Sequence, residues 1–314
     1  MDKMFTLKGE HKACKIGPWT IGGQPGDNPP LLVASMFHKG DRLLEKRKEG
    51  KFDRAKATDY IKRQEELSQQ TGIPALTAMV ANSADEMKRY IDFFTSVSDM
   101  PFAIDMWMQE PRIEAVRYAA EQGLMDKVLY NSITPWDKDI PGQIEELKEI
   151  GVKHVVVQVY DDNDPTPAGR VNCFRDMLDK IGKDTFESIL VDTSVMNLPA
   201  TAFSSIANKM IKEEFGVPCG IASSNGTFMW KEAKEMWGVK GFSAMDAAGQ
   251  AVSTMFWCDL IFYGPQVIAD RIFPAVSSAA VQLATFAYYE TGKLPSNPNH
   301  PLYKFFNDFA DKLK

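Results

Sequence analysis

Short apolar runs recur along the chain, and each is followed by a stretch in which apolar residues return every three or four positions. Residues 102–105 (FAID) end on Asp105, 127–131 (KVLYN) on Asn131 and 188–192 (SILVD) on Asp192. A run apolar on both faces is the pattern of a strand inside a covered parallel sheet, and the three-to-four spacing is that of a helix returning across it. Eight strands are predicted: 31–36, 75–80, 102–105, 128–131, 154–159, 189–192, 219–222 and 260–263. Helices are predicted at 53–70, 83–97, 111–122, 141–149, 170–181, 200–215, 245–257 and 265–290, with an extra piece at 229–237. Ser83 with Glu86 three residues on reads as a helix start, and Gly123 as a stop.

The pattern predicts an α/β chain: a (β/α)8 TIM barrel over residues 31–314 as one domain, with residues 1–30 as an N-terminal extension. Within the extension, residues 16–30 (IGPWTIGGQPGDNPP) suggest a short hairpin that plugs the bottom of the barrel. A doubly wound open sheet is the alternative, but it would normally have fewer strands and a glycine-rich first turn. Neither GxGxxG nor GxxxxGK[ST] occurs.

The net charge of −6 and pI near 5.4, with Lys and Arg spread among Asp and Glu, leave no basic stripe for nucleic acid or anionic lipid. Residues 1–15 are mostly polar and show no secretory signal, so a cytoplasmic protein is expected. Residues 273–289 are broken by Ser277, Ser278, Gln282 and Thr285, which suits a buried helix better than a membrane span. Cys14, Cys173, Cys219 and Cys258 form no CxxC pair and read as reduced thiols; His11, His38, His154 and His300 form no HxxxH pair. No metal site is expected.

In a barrel of this kind the chemistry sits where the strands end, which singles out Asp105, Asn131, Gln158, Asp192 and the Ser223-Ser224-Asn225 loop. Any one of them could instead cap a helix or bond a loop amide. Together, two carboxylates and several amides match an amino-pyrimidinone edge: a carboxylate accepts two parallel N–H bonds, and an Asn amide both donates and accepts. A pterin presents that edge. Met106, Trp107 and Met108 could cover the ring face, or be packing at the barrel top.

The strings GGQPGDNPPLLVASMF, KFDRAKATDYIKRQEELSQQTG, PFAID, VLYNSI, ILVDTS and DLIFYGP resemble the H subunit of tetrahydromethanopterin S-methyltransferase and its bacterial relatives, the methylcorrinoid:tetrahydrofolate methyltransferases of methylamine and betaine catabolism. The resemblance spans residues 17–274 and implies a pterin-binding barrel. It also implies transfer of a methyl group from a methylcorrinoid, such as methylcobalamin, to nitrogen 5 of tetrahydrofolate. By position, Asp105, Asn131 and Asp192 match the pterin-edge ligands, with Asp105 and Asn225 taken as the catalytic residues and Gln158 and Ser223 as further substrate ligands. An ungapped match puts Ser223 where the family has the asparagine that contacts the reacting nitrogen; Asn225 takes that place if the loop shifts. Asp105-Met106-Trp107 also departs from the Asp-Ser-Thr of many relatives.

The chain has no DxHxxG signature, so the corrinoid is expected on a separate protein docking near residues 40–51 and 160–167. A homodimer is the expected assembly. Tetrahydromethanopterin is the alternative acceptor, and a non-catalytic docking subunit the alternative role. A dihydropteroate synthase would need a basic diphosphate site, and a zinc-dependent methyltransferase a His/Cys cluster; neither is seen.

Overall fold

The computed structural model describes residues 3–46 and 50–314. Two strands, β1 (Ala13–Ile16) and β2 (Trp19–Gly22), pair antiparallel, and β3 (Leu31–Met36) enters the barrel. After a small antiparallel pair, β4 (Leu44–Lys46) and β5 (Lys51–Phe52), strands and helices alternate: α1 (Arg54–Thr71), β6 (Ala75–Val80), α2 (Ala84–Val97), β7 (Phe102–Asp105), α3 (Gln109–Glu121) and β8 (Val128–Ile133). There follow α4 (Ile140–Ile150), β9 (His154–Gln158), α5 (Pro167–Ile181), β10 (Ser188–Asp192), α6 (Ala200–Phe215) and β11 (Cys219–Ile221). The chain ends with α7 (Ser223–Met229), α8 (Glu232–Met255), β12 (Leu260–Pro265), α9 (Ala269–Thr291) and α10 (Pro301–Asp311).

Strands β3, β6, β7, β8, β9, β10, β11 and β12 close into one barrel in that order, every neighbouring pair parallel. The expected TIM barrel is therefore the fold. Its strands are buried on both faces. Leu31, Val33, Leu76, Ala103, Leu129 and Leu190 are among those filling the inside, and the alternate residues pack under the helices.

Local chemistry sets the helix ends. Asp53 accepts from the Lys56 amide and Gly72 stops α1 at a left-handed φ of 77°. Ser83 accepts from the Glu86 amide as expected, while the Glu86 carboxylate reaches back to the Asn82 amide at 2.8 Å.

The expected N-terminal hairpin is present, with its first strand beginning a little earlier, at Ala13. It turns at Gly17-Pro18, with Gly17 at φ 55°, and residues 23–30 form the connection to β3. Ile16 and Ile21 are fully buried against the inward side chains, and the Trp19 indole donates to the Ala75 carbonyl at the base of β6.

Further differences bear on the site or its surroundings. The 40–51 loop contains β4 and β5, with Phe52 packed among Phe37, Tyr90 and Phe93; residues 47–49 of it lie outside the described residues. The Ser-Ser-Asn-Gly loop is the first turn of α7. The separate pieces at 229–237 and 245–257 are parts of α8, which kinks at Gly238. The last barrel helix follows a 3-10 turn, and α10 was not foreseen.

By length and composition the helical stretch Gln266–Thr291 is apolar enough to cross a membrane, but half of its most apolar part is buried inside the protein.

Candidate active site at the barrel mouth

Asp105, Asn131, Gln158 and Asp192 stand at or near the ends of four consecutive strands, β7 to β10, on one side of a cavity of about 670 Å³. That is the size of a small-molecule site. Val33, Ala78 and Phe262 line the opposite side, with Ser224, Asn225 and Phe228 of α7 over it.

The Asn131 side chain donates to the Asp105 carboxylate, which orients both. One Asp192 oxygen accepts the Ser194 amide at 2.9 Å, so this residue does bond a loop amide and still faces the cavity. The Gln158 amide donates to the Ser194 hydroxyl at 3.2 Å. Asn225 is exposed at the mouth, and its side-chain amide has no hydrogen-bond partner among the described residues. Ser223 is brought elsewhere. It is buried, its hydroxyl 2.9 Å from that of Ser253 on α8, and it is not part of the cavity wall.

Residues two apart on a helix point about 200° apart, so α7 can present only one of Ser223 and Asn225 inward. Met106 is a core residue, whereas Trp107 lies open at the rim, its ring stacked toward Trp136 with centroids 6.4 Å apart.

Burial out of water pushes both carboxyls up to about 6. Arg112 and the Asn131 hydrogen bond pull Asp105 back down, and Asp192 beside it adds to the rise. The Ser194 amide and Arg170 oppose the rise at Asp192.

The sign of the consequence follows from proton binding. Below pH about 4 folded and unfolded chains both hold these protons; between about 4 and about 6 the unfolded chain releases them first, so stability falls as pH rises. Asp192→Asn keeps an oxygen for the Ser194 amide and removes the charge. It is expected to raise Tm at pH 7.5 by about 3 °C and to change it little at pH 4, read by thermal scans of the ligand-free protein.

Reading only strand-end residues missed several wall groups. His38 and Lys39 follow β3, so the same rule could have found them. Arg112 and Trp136 enter from α3 and from the loop after β8, where no strand-end pattern points. Among the described residues no three His, Cys, Asp or Glu side chains converge as a metal site, and all four cysteines are free.

Residues 9–293 match the family model described as tetrahydromethanopterin S-methyltransferase MtrH subunit. The H subunit of tetrahydromethanopterin S-methyltransferase from Methanothermobacter thermautotrophicus is 30% identical, the alignment covering 96% of this chain and 99% of that protein. The H subunit from Methanopyrus kandleri is 28% identical over 95% and 98%.

Among solved structures, Yersinia pestis dihydropteroate synthase with a pterine-sulfa conjugate aligns at TM-score 0.59 and 11% identity, covering 86% of this chain and 98% of that one. A truncated 3-deoxy-D-arabino-heptulosonate 7-phosphate synthase from Thermotoga maritima aligns at 0.52 and 10%, covering 92% and 95%. At such identities the likeness is one of fold.

Proposed function

The chain belongs to the tetrahydromethanopterin S-methyltransferase MtrH subunit family, and from that membership and the geometry of the mouth we propose that it moves a methyl group from a methylcorrinoid on a partner protein to nitrogen 5 of tetrahydrofolate. The observation that carries the reading is the row Asp105, Asn131, Gln158 and Asp192 on four adjacent strands, facing Asn225. A reduced pterin donates N–H groups at one ring edge. Two carboxylates that have lost much of their water, beside an oriented amide, suit that edge.

The corrinoid supplies an electrophilic methyl group and keeps the electron pair of the broken bond. Nitrogen 5 gives its lone pair to the methyl and then loses its proton. The protein's part is to hold the ring so that nitrogen 5 lies in line, an effect of positioning. Asn225 can accept from the protonated nitrogen or donate to the neutral one, and in the reverse direction it favours the positive charge that lets the methyl leave.

Single-turnover transfer from methylcobalamin to each of the two pterins tests the reading. Transfer to tetrahydrofolate is expected; transfer to tetrahydromethanopterin alone would support the acceptor in the relatives' names, and transfer to neither would leave a docking subunit.

The partner's docking surface is taken to be the apolar rim of Trp107, Met108, Trp136, Phe228 and Met229, all exposed, together with the 40–51 and 160–167 loops.

We take the assembly to be a homodimer of cytoplasmic chains. Residues 198–208, 241–258 and 272–289 hold one charged side chain, Asp246, and it is buried; Phe203, Ile206 and Met210 of α6 and Val252 of α8 are exposed. Surface ion pairs such as Lys88–Glu114 and Arg117–Glu146 on α2 to α4, and Lys209–Glu213 on α6, lie outside these stretches. The apolar ridge that these residues form suits a second copy. Sedimentation is expected to give twice the 35.2 kDa chain mass, and Ile206→Glu with Val252→Glu to give monomers. A wild-type monomer at ~10 μM removes the dimer.

A further inference from the structure

Two arginines that the proposed reaction does not use are almost entirely out of water. Arg112, near the start of α3, and Arg170, near the start of α5, are 2% and 0% exposed. Each donates to the carbonyl of the residue just after a cavity carboxylate: Arg112 to Met106 at 2.7 Å, after Asp105, and Arg170 to Thr193 at 2.7 Å, after Asp192. Arg112 also donates to the Tyr130 hydroxyl at 2.7 Å and reaches Asp137 at 3.4 Å; Arg170 also donates to the Ser194 carbonyl at 3.3 Å and to Pro165. Burying a guanidinium is costly unless it is paired and bonded, and the chain does so twice, each time on the carbonyl that follows a cavity carboxylate, once from the helix after its strand and once from the helix before it.

We propose that Arg112 and Arg170 are a matched pair of positioning residues. Each clamps the peptide carbonyl beside a cavity carboxylate and sets a permanent positive charge behind it, so that Asp105 and Asp192 meet their ligand ionised and fixed in direction. A guanidinium suits the task because its planar fork bonds several oxygens at once and does not lose its proton.

The groups around each carboxylate are few. Asp105 is surrounded by Arg112 and Asp192, with Asp137 behind Arg112 and His38 and Lys39 elsewhere on the cavity wall. Asp192 is near Asp105 and Arg170, with the Tyr160 ring 5.0 Å from the Arg170 guanidinium and Asp164 beyond it. In both cases the arginine is the cation that holds the carboxyl down, by direction and cause.

The inference rests on the pterin reading only for what the carboxylates bind, so the test has a part without pterin. The carboxyl carbons of Asp105 and Asp192 are titrated by NMR in the ligand-free protein, and tetrahydrofolate affinity is measured against pH. Arg112→Gln is expected to move the Asp105 midpoint up by roughly one pH unit, the scale of losing a nearby opposite charge. Arg170→Gln should do the same for Asp192. The affinity lost at pH 6.5 in each variant should be largely regained at pH 8.5, and Arg112→Lys and Arg170→Lys should titrate near wild type.

A merely structural arginine would lower affinity equally at both pH values and leave the NMR midpoints in place; that result overturns the proposal, as does a lysine variant that shifts as far as the glutamine one. If one glutamine variant does not fold, the other decides, since each arginine is assigned to its own carboxylate: a midpoint moved up supports the proposal and an unmoved one overturns it. Shifted midpoints with no pterin binding by wild type at any pH would uphold the clamps and sink the pterin reading instead.

Discussion

Asp105→Ala is expected to weaken binding of a reduced pterin by about 2 to 4 kcal/mol, roughly 30-fold to 1000-fold, because the ring's N–H donors would face a cavity wall with no acceptor. The size comes from the site. Asp105 lies where water has been largely removed, its carboxyl already pushed up to about 6, and the Asn131 amide is aimed at it. Its loss leaves both the ligand edge and Asn131 without a partner. Calorimetry on the ligand-free protein at pH 7.5 measures the effect, and Asp192→Ala should act in the same direction. Unchanged affinity in the two variants together would remove the pocket from the proposal.

Asn225→Ala is expected to slow methyl transfer by about 10-fold to 1000-fold while changing pterin affinity far less, as befits one preorganised polar contact that matters at the reacting atom. Ser223→Ala should stay within a few-fold of wild type. The contrast follows from α7. Asn225 is on the cavity side with its amide uncommitted, and Ser223 faces α8 through Ser253. Single-turnover transfer from methylcobalamin separates the two. A normal rate for Asn225→Ala with a collapsed rate for Ser223→Ala would hand the role to the ungapped position.

The barrel was legible because its strands are wrapped on both sides. Residues 31–36, 75–80 and 102–105 read as apolar runs for a physical reason, and the structure buries all but one position of each. The carboxylates were legible for the same reason, since Asp105 and Asp192 are where an apolar run meets the mouth.

What failed to show were features set by tertiary contact. Strands β4 and β5 are three and two residues long and largely exposed, and their place is fixed by Phe52 meeting Phe37 and Tyr90. The phase of α7 could not be read, because Ser-Ser-Asn-Gly is turn chemistry by composition and becomes helical only where it packs on β12 and α8. Helix α10 hid behind Pro295, Pro298 and Pro301, which look like a tail until His300 caps the helix and Leu302 is buried near Ala284. Arg112 and Arg170 look like surface charges in an amphipathic helix; only their reach to a strand end, the preceding one for Arg112 and the next one for Arg170, gives them away.

The plug at the base of the barrel also sets an order of events during synthesis. Ile16 and Ile21 are synthesised before the barrel side chains that cover them, which come from strands spread from β3 to β12, the last of the buried ones being Leu260. For roughly 240 residues of translation these isoleucines and Trp19 have no finished floor to enter, and such long-range closure is slow and exposes sticky surface. Residues 4–6 are then tied down by a residue made later still: Glu290, at the end of α9, accepts the amides of Met4 and Phe5 and the Thr6 hydroxyl. The stretch from Met4 to Ile21 is thus made before the contacts that hold it, and in that interval it depends most on being shielded by the cell.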